Sequence, residues 1–347
     1  MVPGVLTMPS PRVVTLRPEL APSIVLTAAV IAFFAVLTRP QVAAGPLPGG
    51  VVPDSYDYAY GAQSLLGGRY VVDWDGGAPR VPRYPPGFSV LLVPAVARLA
   101  VRAPRDRATR WDRYWSQVRA TGDDGDVLWD PAGDDEPARY RALLDTFTDP
   151  TLPLIDLGCG SGTLTRALAP GRPHVIGVDH SPHANTLARA QSATTPHVTH
   201  HVLDARDTTA AAALHTHLGD ATVFIRGVLH ILTPHDRRRV AATVQILTGA
   251  RGAVLLAETN YPGPLLGYLE SQGARPTGLP GPLGRAISAG LPRPSRFGTA
   301  ELADCFPPAH WERLFVDEFA TINTVPVATG QPRGTVCAHV AVLRHHP

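Results

Sequence analysis

The amino-acid sequence predicts an α/β domain built on a mostly parallel sheet, preceded by an N-terminal segment of a different character. From residue 154 onward, short apolar runs alternate with helical stretches, which is the pattern of a parallel sheet covered by helices. The first of these runs leads directly into a glycine-rich turn and a helix. Acidic residues follow several of the runs, so polar groups are expected at the carboxyl ends of the strands, where open α/β sheets bind ligands.

The glycine-rich turn is the most informative stretch of the chain. Residues 154–157 are typical of the end of a buried strand, and residues 163–169 are typical of a helix. Between them, glycines occupy every second position: Gly158, Gly160 and Gly162. Glycine has no Cβ, so the backbone here can approach a ligand closely. The spacing differs from a dinucleotide fold, because Thr163 replaces the third glycine, and from a P-loop, because no lysine follows.

The pattern Asp156-x-Gly158-x-Gly160-x-Gly162 resembles motif I of the class I S-adenosylmethionine (SAM) methyltransferases. The later apolar runs follow in the order of that family, and the resemblance covers about residues 110–345. The predicted strands after the first are 174–179, 201–203, 222–226, 252–258, 319–327 and 334–344. The resemblance implies a Rossmann-like seven-stranded sheet with helices on both faces and an antiparallel final strand.

The same resemblance implies SAM as the cofactor and assigns residues to it. Asp179 stands at the tip of the second strand, where a carboxylate can accept hydrogen bonds from both ribose hydroxyls. Asp204 follows the third strand, at the position of the acid that this family sets against the adenine amino group. The alternatives are a helix cap for Asp179 and a plain turn residue for Asp204. The predicted cofactor-binding residues are Asp156, Gly158, Cys159, Gly160, Gly162, Asp179, His180, Asp204, Ala205 and Arg226.

Methyl transfer from SAM is an in-line displacement, in which the protein aligns acceptor, methyl carbon and sulfur and excludes water. A base is needed only when the acceptor is a hydroxyl or a protonated amine. His230, just after the fourth strand, and Glu258, at the end of the fifth, are the candidate catalytic residues. A structural histidine at the sheet edge and a helix cap are the respective alternatives. The acceptor is expected to be a small molecule, and its chemistry stays open.

Two segments are expected to cover the site. Residues 104–150 are interpreted as a linker and helical lid, whose tryptophans and tyrosines either close on the sulfonium or pack the helices on the sheet. The methyltransferase domain is predicted over residues 151–347, with an insertion at about 262–310 between the fifth and sixth strands. This family commonly inserts substrate-recognition elements at that point, and a long irregular insertion is usually functional or mobile.

Residues 1–103 are predicted to form a membrane-associated segment. Residues 21–38 are uncharged and mostly apolar, and 86–101 are a shorter candidate span. The rivals for the first span are a signal peptide with cleavage after Ala44, and a buried helix. Residues 53–94 resemble the first external loop of the GT-C membrane glycosyltransferases, although the many later spans of that family do not follow. The two spans would place the methyltransferase domain in the cytoplasm, where SAM is made.

Composition excludes some partners. The net charge of +2 and the scattered basic residues give no argument for nucleic-acid binding. The three cysteines share no metal or redox spacing, and the pairs His200–His201 and His345–His346 are expected to be solvated, so no metal site is predicted. The oligomeric state stays open. The alternative functions are a truncated or fused GT-C glycosyltransferase and a non-catalytic binding module with a SAM fold.

Overall fold

The computed structural model describes residues 107–346, apart from 123–124, 132, 264, 275–279, 293 and 325–333. All of these residues belong to the second of two compact units of the chain, Ala103–Pro347. The predicted membrane segment, residues 1–103, lies outside the described residues, and its two candidate spans stay predictions. Within the described part of the chain, no helix is both long and apolar enough to cross a membrane.

Helices and strands alternate along this unit. The helices are α1 (Arg107–Trp115), α2 (Asp135–Phe147), α3 (Thr163–Ala167), α4 (Pro182–Gln191), α5 (Thr208–Leu218), α6 (Pro234–Thr248), α7 (Leu265–Ser271), α8 (Gly281–Ser288) and α9 (Thr299–Cys305). The strands are β1 (Leu154–Leu157), β2 (Val175–Asp179), β3 (Val198–Val202), β4 (Thr222–Arg226), β5 (Ala253–Thr259), β6 (Trp311–Thr324) and β7 (Gly334–His345). A short 3-10 turn, Leu229–Ile231, follows β4.

The strands form one seven-stranded sheet in the order β3-β2-β1-β4-β5-β7-β6. The first five strands run parallel to their neighbours, whereas β7 is antiparallel to both β5 and β6. The predicted seven-stranded, Rossmann-like sheet with an antiparallel final strand is therefore confirmed. In this order β1 lies between β2 and β4, so the glycine turn after β1 is at the centre of the sheet's carboxyl edge.

The central strands are mostly apolar because they lie in the core of the protein. Every residue of β1, β2, β4 and β5 is buried, because helices cover both faces of the sheet. Alternate side chains enter two separate apolar clusters. Ile155 joins the cluster that includes α6 and α9, whereas its neighbour Leu154 joins the cluster that includes α2 and α3.

Two strands begin several residues before their predicted starts. β3 begins at Val198 rather than at residue 201, and β6 begins at Trp311 rather than at residue 319. β6 is an edge strand with many exposed or half-exposed residues, so most of its length has no apolar run to mark it. The pairing of β6 with β7 also contains register shifts, between Arg313 and Phe315 and between Asp317 and Ala320, which interrupt the alternation of side chains.

Candidate cofactor and acceptor site

The glycine turn is held in a backbone conformation that other residues rarely adopt. Gly158, Gly160 and Gly162 all have positive φ angles, of 87°, 53° and 74°. Packing excludes a Cβ at each position as well. A Cβ on Gly160 would lie 2.6 Å from the ring of Trp115, and one on Gly162 would lie 2.7 Å from the ring of His200. At Gly158 the obstacle is the side chain of Val228.

The turn is anchored to β2 through its backbone. The N–H groups of Gly158 and Cys159 both donate to the carbonyl of Val178, at 2.7 and 3.1 Å. The Cys159 thiol lies 3.8 Å from Nδ1 of His200, and burial raises the pKa of that thiol well above its usual value. Cys159 therefore contributes backbone to the turn, while its protonated thiol packs against β3.

His200 corrects one expectation from the sequence. It is 4% exposed rather than solvated, and its Nε2 lies 2.8 Å from the hydroxyl of Ser192. Burial lowers its pKa to about 4, so the ring is neutral at physiological pH. The ring fills the space left by the missing side chain of Gly177, whose Cβ would otherwise overlap it. No group of metal-ligating side chains that could hold an ion occurs in the described part of the chain.

Asp156 is buried and contacts the helix that follows the glycine turn. Its carboxylate is buried and accepts a hydrogen bond from the hydroxyl of Thr165, at 2.6 Å. Burial raises the pKa of Asp156 to about 7. This contact links β1 to α3, the two elements on either side of the glycine turn, and so stabilises the conformation of the turn.

Asp179 and His180 end β2 next to the turn. One carboxylate oxygen of Asp179 accepts from the N–H of Ser181 at 2.8 Å, and the other accepts from the N–H of Gly160 at 3.1 Å. Burial raises the pKa of Asp179. The ring of His180 lies 3.5 Å from the same carboxylate, and its Nε2 is buried without a hydrogen-bond partner among the described residues. A buried, unpartnered ring nitrogen beside a carboxylate is where a polar ligand group is expected.

Asp204 lies just past β3, next to the end of β2. The residue before it donates its backbone N–H to the carbonyl of Asp179, at 3.0 Å. Arg206 donates to both carboxylate oxygens of Asp204, at 2.9 and 2.7 Å, and these hydrogen bonds lower the pKa of Asp204. Ala205 is partly buried against the core. The sheet order thus brings the predicted ribose and adenine acids to adjacent strand ends.

Glu258 and His230 form a buried pair after β5 and β4. The carboxylate of Glu258 accepts hydrogen bonds from the backbone N–H groups of Val228, Leu229 and His230, at 2.8 to 3.0 Å. It also lies 2.7 Å from Nδ1 of His230. Because an ionised carboxylate only accepts, this geometry assigns the ring proton to Nδ1 and leaves Nε2 as an acceptor.

The 3-10 turn that carries His230 is braced by residues that the sequence did not single out. Arg237 donates from Nε to the carbonyl of Leu229 at 2.8 Å and from Nη2 to the hydroxyl of Ser295 at 2.6 Å. Ser295, in the insertion, donates its N–H and its hydroxyl to the carbonyl of His230. Arg237 is the first of three consecutive arginines on α6. It is buried, whereas Arg238 and Arg239 are exposed, and the sequence alone does not distinguish the three.

Arg226 was predicted to bind the cofactor, and the structure surrounds its guanidinium with protein groups. It donates to the carboxylate of Glu136 at 2.8 Å, to the carbonyl of Asn323 at 2.9 Å and to the carbonyl of Trp129. Glu136 also accepts from the hydroxyl of Tyr140, at 2.7 Å, and from the N–H of Asn323, at 2.6 Å. This network joins the lid to β4 and β6. The sequence did not indicate a role for Glu136, because acidic residues are common in the first turn of a helix.

The lid packs on the glycine turn and on α4. Asp112 accepts hydrogen bonds from the Ser181 hydroxyl at 2.6 Å and from the His183 N–H at 3.1 Å, which fixes α1 to the start of α4. Four aromatic rings of the lid pack against one another with centroids 5.0 to 6.3 Å apart: those of Trp111, Tyr114, Trp115 and Trp129. In this conformation the rings pack the lid, and Trp115 also contacts Gly160.

The lid and the insertion pack against each other, and the two segments together are called the cover. Arg285 on α8 makes an ion pair with Asp126 of the lid, and Arg110 on α1 donates to the carbonyl of Gly290, at 3.3 Å. Apolar side chains from both segments pack together beside these contacts: Leu128, Trp129, Leu269, Ala274 and Leu283. The predicted insertion therefore lies against the predicted lid.

Comparisons with known proteins agree with this architecture. Residues 154–251 match the family described as "Methyltransferase domain". A SAM-dependent methyltransferase from Anabaena variabilis is 27% identical, with a TM-score of 0.60, over 70% of this chain and 97% of that one. No curated protein has a matching sequence.

Two more distant structures were also found. TehB from Haemophilus influenzae is 14% identical with a TM-score of 0.42, over 60% of this chain and 62% of its own. The magnesium protoporphyrin IX methyltransferase from Synechocystis, solved with bound SAH, is 17% identical with a TM-score of 0.39, over 60% and 83%. None of the comparisons supports the glycosyltransferase resemblance of residues 53–94. The sheet order, the family match over residues 154–251 and the similarity to a SAM-dependent methyltransferase together support a Rossmann-like methyltransferase domain with SAM as its cofactor.

Proposed function

We propose that this chain is a SAM-dependent methyltransferase in which His230 acts as a general base on a small-molecule acceptor that carries a hydroxyl or a protonated amine. The observation that carries the proposal is the hydrogen bond of 2.7 Å between Nδ1 of His230 and the buried carboxylate of Glu258. A histidine held in this way presents Nε2 as a proton acceptor.

The position of His230 supports this role. The glycine turn follows β1 and His230 follows β4, and these strands are neighbours in register, with Asp156 opposite Phe224. A cofactor bound along the glycine turn would bring its reactive end towards the end of β4. A base at that point can take the proton of an acceptor as its oxygen or nitrogen attacks the methyl carbon.

Glu258 is a positioning residue in this proposal. It has no exposed surface, and its carboxylate is occupied by three backbone N–H groups and one imidazole N–H. It fixes the tautomer and direction of the ring, and its negative charge stabilises the imidazolium that forms when His230 takes a proton. In catalytic triads, too, a buried carboxylate orients the histidine, and the histidine transfers the proton.

The cover formed by the lid and the insertion supports an acceptor that is small enough to be enclosed. Enclosure excludes water, which would otherwise compete for proton transfer and weaken the alignment of the reacting atoms. Ser295 hydrogen-bonds the carbonyl of His230, so the insertion is attached to the catalytic turn itself. Attachment of residues 1–103 to a membrane stays a prediction from the sequence, as does a cytoplasmic position of the domain.

The test compares cofactor binding with methyl transfer in the full chain. SAH binding is measured by calorimetry, and transfer of labelled methyl from SAM is measured against a panel of small phenols, alcohols and amines. His230→Gln is expected to bind SAH normally and to lose about 10²- to 10⁴-fold in kcat, the usual contribution of a positioned base. His235→Gln is the matched control, because His235 is an exposed histidine on the next helix.

Glu258→Gln separates positioning from direct catalysis. It keeps the side-chain volume but removes the charge that stabilises the imidazolium, so the decline of kcat at acidic pH should shift in this variant. A His230→Gln enzyme with wild-type kcat at every pH would refute the base. Wild-type protein that binds SAH but methylates nothing in the panel or in a cell extract would favour the non-catalytic binding module. Wild-type protein that binds no SAH would refute the methyltransferase altogether.

A further inference from the structure

Asp130 is a buried acid of the lid that lies against the glycine turn. Its side chain is 5% exposed, and its Oδ2 accepts a hydrogen bond from the N–H of Gly122, at 2.9 Å. The hydroxyl of Thr163, the first residue of α3, lies 3.4 Å from the same oxygen. Among the described residues, no group donates a hydrogen bond to the other oxygen, Oδ1.

The surroundings leave the charge of Asp130 incompletely neutralised. The guanidinium groups whose charges act on Asp130 belong to Arg226 on β4 and Arg166 on α3, and both donate their hydrogen bonds to other groups. Arg226 donates to Glu136 and to two carbonyls, and Arg166 donates to the carbonyl of Ser161 at 3.0 Å and to Gln191 at 2.7 Å. Burial raises the pKa of Asp130 to about 6. A buried carboxylate without a direct cationic partner is costly, which points to a cation that binds from outside.

The sheet order indicates which part of a ligand reaches Asp130. Asp204 follows β3 and Asp179 ends β2, so a nucleoside held by these acids lies over the β3–β2 side of the sheet. Its 5′ substituent must then run towards β1 and β4. Asp130 contacts Thr163, which directly follows the glycine turn after β1. In SAM and SAH, the 5′ substituent ends in an amino acid, whose α-ammonium is the cation.

We propose that Asp130 binds the α-ammonium of the cofactor's amino-acid end through Oδ1, so that the lid closes only over an intact amino-acid tail. This inference rests on the proposed function. With this contact, Asp130 would make the protein bind SAM and SAH in preference to adenosine thioethers without the amino-acid tail, such as 5′-methylthioadenosine. An ammonium–carboxylate hydrogen bond is charge-assisted, and it gains strength inside a closed, water-poor site.

Calorimetry of the full chain with two ligands tests the proposal. SAH carries the amino-acid tail and 5′-methylthioadenosine lacks it, while both carry the adenosine group. Asp130→Asn is expected to weaken SAH binding by about tenfold to a hundredfold, the effect of losing one charge-assisted hydrogen bond. Its binding of 5′-methylthioadenosine should be unchanged, because the amide oxygen can still accept from Gly122. The matched control is Asp134→Asn, an exposed acid of the lid, whose ratio of the two affinities should equal that of the wild type.

Each outcome separates this inference from the proposed function. If wild-type protein binds neither ligand, the proposed function fails and the inference fails with it. If the wild type binds SAH and Asp130→Asn binds it equally well, only the inference is overturned. A parallel loss of both ligands in Asp130→Asn would also overturn it, because Asp130 would then act on the fold of the site and not on the ammonium.

Discussion

Glu136 on α2 and Arg226 at the end of β4 form an ion pair that is almost completely removed from water. The two side chains are 1% and 4% exposed, and Nε lies 2.8 Å from Oε1. Through the remaining donors of Arg226, the pair reaches Trp129 in the lid and Asn323 at the end of β6. The lid is therefore attached to the centre of the sheet by a charged network as well as by apolar packing.

Breaking this pair should cost more than breaking a surface pair. Glu136→Gln leaves the guanidinium of Arg226 buried without a counter-charge, and we expect a loss of about 3–5 kcal/mol in the free energy of unfolding. Urea titration followed by circular dichroism measures it. The control is Asp304→Asn, whose partner Arg238 is about half exposed, and which should cost at most about 1 kcal/mol. Equal losses in the two variants would contradict the role given to the buried network.

Removing the carboxylate of Asp179 should abolish binding of the nucleoside. Asp179→Ala is expected to weaken SAH binding by at least about a hundredfold, because it removes the predicted ribose acceptor and leaves the N–H of Gly160 without its acceptor. Binding of 5′-methylthioadenosine should fall equally, since both ligands share the ribose. Calorimetry with both ligands makes the comparison, with Asp304→Ala as a control acid on the surface. Retained binding in Asp179→Ala would place the ribose elsewhere.

His339 on β7 should destabilise the protein as pH falls. The ring is fully buried, neither nitrogen has a hydrogen-bond partner in the described part of the chain, and burial lowers its pKa below 6.5. Below about pH 6.5 this histidine binds a proton in the unfolded chain but stays neutral in the folded chain. The free energy of unfolding therefore decreases as the pH is lowered. His339→Leu should raise this free energy by about 1 kcal/mol at neutral pH and by more in acid.

Urea titrations at several pH values check this prediction. The control is His235→Leu, because His235 is exposed and its replacement should leave the pH dependence of the wild type in place. A His339→Leu variant that is less stable than the wild type at acidic pH would show that the histidine has a partner or a packing role that outweighs its buried nitrogens.

SAH affinity should depend on pH through Asp130. The ionised carboxylate binds an ammonium and the protonated acid does not, and the pKa of Asp130 in the free protein is about 6. The charged groups that act on it are Arg226 and Arg166, and Tyr114 of the lid is a neutral titratable neighbour. None of the three titrates in this range. The affinity for SAH relative to 5′-methylthioadenosine should therefore fall between about pH 7 and pH 5, and this slope should be absent from Asp130→Asn. A ratio that is independent of pH in the wild type would contradict the assignment.

The sequence predicted the fold well because the central strands are apolar throughout and end in polar residues. The first strand and the glycine turn could be located from the sequence pattern. The roles of Asp179 and Asp204, and the strand order, came from the family resemblance. The start of β6 could not be located, because an edge strand such as Trp311–Thr324 alternates irregularly between exposed and buried residues. The spacing of apolar residues along a strand indicates which of its side chains are buried. Because this strand is only partly buried, that spacing is too irregular to show where the strand begins.

The contacts between distant segments were beyond the sequence. In the sequence, Asp130 is one of several acids of the lid, and Glu136 is an acid at the start of a helix. The residues next to them do not show which groups they contact in the folded protein. Ser295 and Arg237 meet at the turn of His230 from different parts of the chain. In each case the side chain was visible, but at least one of its partners lies 33 to 90 residues away along the chain and could not be matched to it.

The position of β7 has a consequence for synthesis of the protein. β7 lies between β5 and β6, and among the described strands β6 has no other neighbour in the sheet. While the ribosome is still adding residues 334–345, β6 therefore has no strand to pair with, and β5 exposes an open edge to other growing chains. Completion of the sheet must wait until this segment emerges, and a chaperone that shields the edge of β5 during that interval should raise the yield of folded protein.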